Sequence, residues 1–598
     1  MTSRLRFAAV LAAGLLSACV PAVAPHPAAP LPPAPPRFAP PRFAPSGTAS
    51  RVVLLSFDGI GADTLQSFGA GENFARLAAE GTRVERVTPV TPTVTASTHT
   101  AILTGATPER SGIVANKFHL RGTPPAQIAV GLDAELDAET IVEAARRQGK
   151  RVGTIAFPTI DASSPRRTAD WGLIFRRPLT NSRLVHLKRR DFRPEWVPPA
   201  WGTPPPPRHP SFSPVLRARI DWTAAPRVRQ DVDVVAYDTT DDRIANYDTL
   251  FIETPDGEQP VDARGWFPVT KKTDDALYGS WAKVLRRDPA LDDVTIYWGV
   301  ISRNDAYPES FRRMLDDEAG FWPGQPDEML AAAALDGREG IDVDTFIEQN
   351  DRFADFLTRA TLLAITRMQA DLVLSYQPTI DITEHQFRIT DPSQKNFTDA
   401  NRAAGERVRR RALEHCDRSV GEIARALDQS RDAMIVTGDH GVVSVDTEVR
   451  LGRLLATWGF APRWGAFAGG NIAELYRFDG TDDSDELVKR LTELQSPDGV
   501  KIFERIDRKS AASHRNSGDL VAFAYPRFSL SAADGEPFAK PSYYGQHGGI
   551  AATHREFDTI LLAWGAGVPH GVLPRIRQTE IARYVAGLLG IAAPKDAE

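Results

Sequence analysis

The chain is short of cysteine, of long apolar runs and of net charge, and each shortage removes a class of protein. Two cysteines in 598 residues cannot staple a disulfide scaffold or build a Cys-rich zinc finger. Any transition-metal site must therefore draw on His and carboxylates. Formal net charge is −6, with 71 Lys+Arg against 77 Asp+Glu, so nothing here resembles the basic face that nucleic-acid binding requires. After the N-terminus no run approaches the roughly 18 apolar residues of a membrane-spanning helix. What remains is an ordinary globular composition, 42% hydrophobic and 25% charged. It is long enough for one large domain with a substantial insertion, or for two or three domains.

The N-terminus accounts for one of the two cysteines. Arg4 and Arg6 precede a short apolar run over 7–16, the pattern of a signal peptide covering residues 1–18. Leu16-Ser17-Ala18-Cys19 resembles the bacterial lipobox. That resemblance implies an exported lipoprotein, periplasmic or on the cell surface, held to a membrane through lipidated Cys19; cleavage near Ala24 is the alternative. Residues 20–46 carry 11 prolines and a tandem Pro-Arg-Phe-Ala-Pro repeat, at 36–40 and 41–45. Proline at this density favours an extended spacer, so 19–50 reads as a linker and the fold is expected from near Arg51.

From Arg51 onward, strands and helices alternate. Residues 52–56 form a short apolar run ending at Asp58-Gly59, as buried parallel strands do. A helix is expected over 73–80, a strand over 82–87, a helix around 138–148 and a strand over 151–157. Further on, 344–368 reads as helix, 372–376 as strand, 407–427 as helix, 433–437 as strand and 559–564 as a late strand. This alternation implies an α/β fold with a doubly wound, mostly parallel sheet covered on both faces. Between about 180 and 345 the character changes. Prolines at 198–199 and 204–207 and an alternating segment at 232–252 read as an inserted cap of antiparallel strands, over 181–345. The catalytic core would then be split into 51–180 and 346–598.

In a doubly wound sheet, reactive residues gather just past the carboxyl ends of strands. Asp58 ends the first strand. Thr95 lies in a Thr-rich stretch, 91–100, that leads into a helix containing Ala101 and Ile102. Asp381 and His385 follow one strand, Asp439-His440-Gly441 another, and His547 stands in Gly545-Gln-His-Gly-Gly549. Three carboxylates and three imidazoles suit two divalent cations, and mixed His/Asp sets are typical of zinc. Taken singly, each has a plain reading: Asp-Gly is a common turn, and a His in a Gly-rich loop can be solvated. Their order and strand-end placement together favour a site.

Asp58-Gly, the segment ending His99-x-x-x-x-Thr104-Gly105, Asp381-x-x-x-His385, Thr437-Gly-Asp-His-Gly441 and Gly545-x-His-Gly548 resemble the alkaline phosphatase superfamily. Within it, the chain is most similar to the nucleotide pyrophosphatase/phosphodiesterase branch, over about 51–180 and 350–590. The resemblance implies a phosphothreonine intermediate on Thr95 at a site with two Zn2+. One zinc would be held by Asp381, His385 and His547; the other, touching Thr95, by Asp58, Asp439 and His440. Asn116, in Gly112-Ile-Val-Ala-Asn116, matches an Asn that holds a phosphoryl oxygen, and His99 matches a structural His.

The nucleophile surroundings depart from the family. Its Thr-Phe-Pro-Asn-His is here Thr95-Ala-Ser-Thr-His99, which removes an aromatic shelf for a nucleobase. Related monoesterases add a Lys or Arg near the site. The strand end at 156–161 has none, and Arg166 and Arg167 read as a surface pair. A phosphodiesterase/nucleotide pyrophosphatase acting on a small, nucleotide-like phosphoester is therefore expected. An alkaline phosphomonoesterase and a non-catalytic surface binding lipoprotein are the alternatives. A sulfatase is excluded by the missing Cys/Ser-x-Pro-x-Arg segment. The cap would set the substrate, with Trp196, Trp201, Trp222 and Trp266 as candidate apolar contacts, although simple packing is the plainer reading of each, and Cys416 reads as a packed thiol.

Overall fold

The computed structural model describes residues 43–69, 71–194, 208–259 and 261–598. The signal-peptide segment, Cys19, most of the linker, Trp196 and Trp201 lie outside the described residues. The central sheet has nine strands: β1 (Arg51–Phe57), β2 (Thr82–Thr88), β3 (Val152–Ile155), β4 (Trp171–Leu173), β5 (Ala306–Tyr307), β6 (Leu372–Gln377), β7 (Asp432–Gly438), β8 (Thr559–Gly565) and β9 (Gly571–Arg577). Their order is β5-β4-β3-β6-β1-β7-β8-β2-β9. β1 runs parallel to β6 and β7 on its two sides, with Leu54 level with Leu374 and Ile435. β3 and β4 extend the parallel part, whereas β8 opposes both its neighbours and β5 opposes β4.

The apolar run of β1 has no polar face because the sheet has no wet face. Val53 and Leu55 join one core, Val52 and Leu54 the other. Six helices matter below: α1 (Thr95–Thr104), α2 (Glu328–Leu335), α3 (Val343–Arg367), α4 (Thr379–Phe387), α5 (Asp399–Arg425) and α6 (Glu580–Leu589). α3 and α5 cover the first face through Phe353, Leu357, Val420 and Ile423; α1 and α6 cover the second through Ile102, Leu103, Ile581 and Val585. α5 begins at Asp399, earlier than its apolar periodicity suggests. The Thr398 side chain caps it by accepting the Asn401 N–H, and its first turns are polar.

Between Arg183 and Arg303 lie two antiparallel sheets that enclose one core, including Trp222, Val234, Phe267 and Ile296. Here two of the cap tryptophans take the plainer of their two readings, packing. Trp222 is fully buried with its indole N–H on Ser280 Oγ at 2.9 Å, and Trp266 is buried with its N–H on Glu348 at 2.7 Å. Both pack and bond inside the protein, leaving nothing for a substrate. A further antiparallel sheet, which the sequence pattern did not suggest, joins Trp464–Gly469, Ile472–Arg477, Leu520–Ala524 and Phe503–Arg508 over its own core.

Packing also begins ahead of Arg51. Phe43, in the second proline-rich repeat, stacks on Tyr584 of α6 with ring centroids 4.0 Å apart, and the Ala49 N–H donates to the Leu588 carbonyl at 2.8 Å. Cys416 is buried in α5, and burial pushes its thiol pKa up. Among the described residues, no helix is long and apolar enough to cross a membrane.

Candidate active site

Three neighbouring strands deliver their reactive groups to one edge of the sheet. After β1 the chain turns at Asp58-Gly59. Gly59 has φ +72°, and a Cβ there would lie 2.8 Å from the Asp381 Cα, so only glycine allows this turn to meet α4. The Asp381 N–H then donates to the Asp58 carbonyl at 3.1 Å. Asp381 and His385 stand one turn apart on α4, on the same side of the helix. β7 leads directly into Asp439 and His440.

The side chains converge in two groups. Asp381 lies 3.3 Å from His385 Nε2 and 3.6 Å from His547 Nε2. His440 Nε2 lies 3.0 Å from Asp439 Oδ2 and 3.5 Å from Asp58 Oδ1. Two imidazoles are aimed by their other nitrogen: His385 Nδ1 meets the Gly545 carbonyl at 2.7 Å, and His547 Nδ1 meets the Thr93 carbonyl at 2.9 Å. The rings of His440 and His547 stack with centroids 3.7 Å apart.

Ligand-type atoms of Asp381, His385 and His547 cluster closely enough to hold a metal ion, as do those of Asp58, Asp381 and His440, and those of Asp58, His99 and Asp439. His99 is otherwise occupied. Its Nε2 meets Ser56 Oγ at 3.0 Å and its Nδ1 meets the Thr95 carbonyl at 3.0 Å, so it braces Asp439 from behind.

The protonation pattern follows from burial and crowding. Burial, then Asp439 and Asp381, push Asp58 well above the usual carboxylate range. Burial opposes ionisation of Asp381 and Asp439 as well, but adjacent imidazoles outweigh it, holding Asp381 at about 2 and Asp439 low. His385 is raised to about 9, because Asp381 outweighs burial. Burial and the stacked His440 push His547 down to about 3, leaving a neutral ring fit for ligation. Asp58 Oδ1, Asp381 Oδ1 and His440 Nδ1 are buried without any hydrogen-bond partner. Each such atom costs about 1–3 kcal/mol unless something satisfies it. The carboxylate oxygens among them, beside three imidazoles, fit divalent cations.

Thr95 is the first residue of α1, half-buried, with Oγ1 3.4 Å from His440 Nε2. No side chain caps α1, so its positive end is open to an anion. The Ala96 N–H donates to Asn116 Oδ1 at 2.9 Å, fixing the Asn116 amide so that its NH2 serves the cleft. That cleft, about 330 Å³, runs along Asn116, Asp381, His385 and His547.

The sequence matches the family model described as type I phosphodiesterase / nucleotide pyrophosphatase over residues 52–550. The chain belongs to this family. It is a hydrolase of phosphoric esters. Solved structures with a similar course include murine ectonucleotide pyrophosphatase/phosphodiesterase 5, 14% identical, with 91% of this chain and 96% of that one covered and a TM-score of 0.47. Phosphonoacetate hydrolase from Sinorhizobium meliloti 1021, in complex with phosphonoformate, is 15% identical, with 91% and 95% covered and a TM-score of 0.45. No curated protein matches the sequence.

In this phosphodiesterase-family chain, Asp58, Thr95, Asn116, Asp381, His385, Asp439, His440 and His547 come from six separate segments into one neighbourhood. Arg166 and Arg167 do not join them, nor are they a simple surface pair. Arg167 is buried, bonded to Asp161 at 2.9 and 3.0 Å and to the Ala134 carbonyl at 2.5 Å; Arg166 binds the Leu136 carbonyl. Four residues of the site were not anticipated. The Tyr376 hydroxyl donates to Asp58 Oδ2. Lys117, directly after Asn116, lines the cleft with Glu328 and Tyr543. Burial pushes Glu328 up to about 7, with His385 opposing and Asp381 adding; Glu328 in turn raises Tyr543 to about 12, helped by burial.

Proposed function

We propose that the protein is an exported, zinc-dependent phosphodiesterase/nucleotide pyrophosphatase that works through a phosphothreonine on Thr95. The observation that carries this reading is the placement of Thr95 Oγ1, at an open helix N-terminus and 3.4 Å from His440, beside two carboxylate–imidazole groups with unsatisfied oxygens. Asp381, His385 and His547 would hold one ion, and Asp58, Asp439 and His440 the other. Oxygen and imidazole donors without thiolate suit zinc. When bound, the ions supply Lewis-acid stabilisation of the attacking and departing oxygens.

The chain's own groups do the rest. The Thr95 oxygen attacks phosphorus as the bond to the leaving oxygen breaks, the hydroxyl proton of Thr95 ending on that oxygen to release the alcohol, and water then hydrolyses the phosphothreonine. The Asn116 NH2 donates to a phosphoryl oxygen, and the α1 terminus favours the negative charge that builds there. A diester is favoured because Arg166 and Arg167 are committed elsewhere and cannot meet a second phosphoryl charge. The monoesterase reading retains one supporting observation, the Lys117 ammonium in the cleft. Rates with p-nitrophenyl phosphate, bis-p-nitrophenyl phosphate and a nucleotide diester, side by side, separate the two. EDTA should abolish diester hydrolysis and Zn2+ restore it. Thr95→Ala should lower turnover by roughly three orders of magnitude with metal content retained. A clear monoester preference would overturn the substrate class, and full activity in Thr95→Ala would overturn the nucleophile.

Export and membrane anchoring form part of the same proposal and rest on the Cys19 sequence context. Labelled fatty acid should enter the wild-type protein but not Cys19→Ala.

A further inference from the structure

The cleft has two chemically different ends. Contacts order the site from the nucleophile into the cleft: Thr95 adjoins His440, His440 stacks on the cleft-lining His547, and the His547 ring lies 5.1 Å from His385, which in turn lies 5.1 Å from Tyr543. Glu328 lines the cleft beside His385 and Tyr543, from a helix, α2, that packs on α4, the helix carrying Asp381 and His385. An in-line displacement places the leaving group opposite the nucleophile. The leaving group therefore points away from Thr95, toward Glu328 and Tyr543.

Glu328 is held there firmly. It opens α2, whose N-cap Asp327 accepts the Leu330 N–H at 3.0 Å and also takes the Ser182 hydroxyl, while the Asp327 N–H donates to Gln349 at 2.9 Å. Among the described residues, the Glu328 carboxylate itself has no hydrogen bond or ion pair, although it is half-buried. Lys117 lines the same cleft but is exposed, and among the described residues no ion pair joins it to Glu328. An unpaired, partly desolvated carboxylate repels a second anion strongly, because the low local dielectric screens it poorly.

We propose that Glu328 is a charge filter on the leaving group: it admits phosphodiesters whose leaving alcohol is uncharged and disfavours phosphoanhydrides whose leaving group is phosphate or pyrophosphate. The inference rests on the phosphodiesterase reading above and narrows it from the pyrophosphatase side. Chemically, the same Thr95–phosphorus bond forms in both cases. Only the departing group differs: the ester oxygen leaves with the bonding electrons, as a p-nitrophenolate monoanion or, after taking up the proton given up by Thr95, as an alcohol, whereas the anhydride releases a polyanion.

The test compares thymidine 5′-p-nitrophenyl phosphate with thymidine triphosphate, which share the nucleoside and differ in the leaving group. Wild-type zinc-loaded protein should favour the ester. At about pH 8, above the Glu328 value of about 7, the ratio of kcat/KM for triphosphate to ester should rise by up to about tenfold in Glu328→Gln and further still in Glu328→Lys. Met329→Ala, altering the exposed neighbour of Glu328 on α2, should leave that ratio as in wild type. A second readout is independent of turnover: inorganic phosphate should bind Glu328→Gln several-fold tighter by calorimetry. An unchanged ratio together with unchanged phosphate binding would overturn the filter while leaving diester hydrolysis standing. If neither thymidine compound is hydrolysed, the phosphodiesterase reading fails, and phosphate binding still decides whether Glu328 repels anions.

Discussion

Tyr376→Phe removes one oxygen atom from the site and so isolates one bond. The Tyr376 ring is buried, edge-on to His99 at 5.1 Å and to Phe175 at 5.9 Å, contacts that phenylalanine keeps. The lost hydroxyl donates to Asp58 Oδ2, and the other oxygen, Oδ1, already lacks a hydrogen-bond partner. A hydrogen bond to a charged group is worth about 1.5–3 kcal/mol, which corresponds to roughly 10- to 100-fold in affinity. That range agrees with the usual cost of removing a residue that orients a metal ligand. In the proposed assignment Asp58 ligates only one of the two ions, so only one of two metal equivalents should weaken. Titrating metal-free protein with Zn2+ against a chromophoric chelator resolves the two equivalents. Activity should recover at excess Zn2+. Two unweakened equivalents, or two equally weakened ones, would refute the assignment of Asp58 to a single ion.

Asn116→Ala should lower kcat/KM by about 10²- to 10³-fold, the cost of losing one donor to a developing oxyanion, measured by steady-state kinetics with bis-p-nitrophenyl phosphate. Arg167→Met strands the Asp161 carboxylate and several carbonyls, so denaturant unfolding should show a loss of about 3–5 kcal/mol, while the folded fraction keeps its kcat. A specific loss of substrate binding would instead assign Arg167 to the site. Glu474 is buried, accepts the Gly518 N–H at 2.7 Å and is raised by burial to about 8. A folded-state carboxyl pKa above the unfolded one means stability present at low pH and lost as pH rises toward about 8. Glu474→Gln should therefore gain stability relative to wild type between about pH 5 and about pH 9, seen as a rising Tm difference.

What was legible in the sequence follows from what governs it locally. β1, β6 and β7 are buried on both faces, so they appear as apolar runs, and the residues following them in sequence are the ones the fold brings together: Asp58, Asp381, His385, Asp439 and His440. Thr95 was legible because the helix it opens follows directly. The sheet over Trp464–Arg508 was not. Two of its four strands, Trp464–Gly469 and Phe503–Arg508, are half-exposed and mixed in character, and it is held by cross-strand pairing that no local pattern reports. The tryptophans left two readings open, because an aromatic side chain in an insertion looks the same whether it lines a cleft or fills a core; Trp222 and Trp266 fill a core. Glu328 reaches the cleft from a helix 57 residues before His385, and nothing near it in sequence points there. Lys117 adjoins Asn116 and could have been named with it.

The stereochemical course at phosphorus tests the threonine intermediate most directly. A diester made chiral by sulfur and an oxygen isotope, hydrolysed in labelled water, reports the number of displacements. Attack by Thr95 followed by attack of water comprises two in-line steps and yields retention of configuration. Inversion would mean that water attacks the diester in one step and that Thr95 is never phosphorylated.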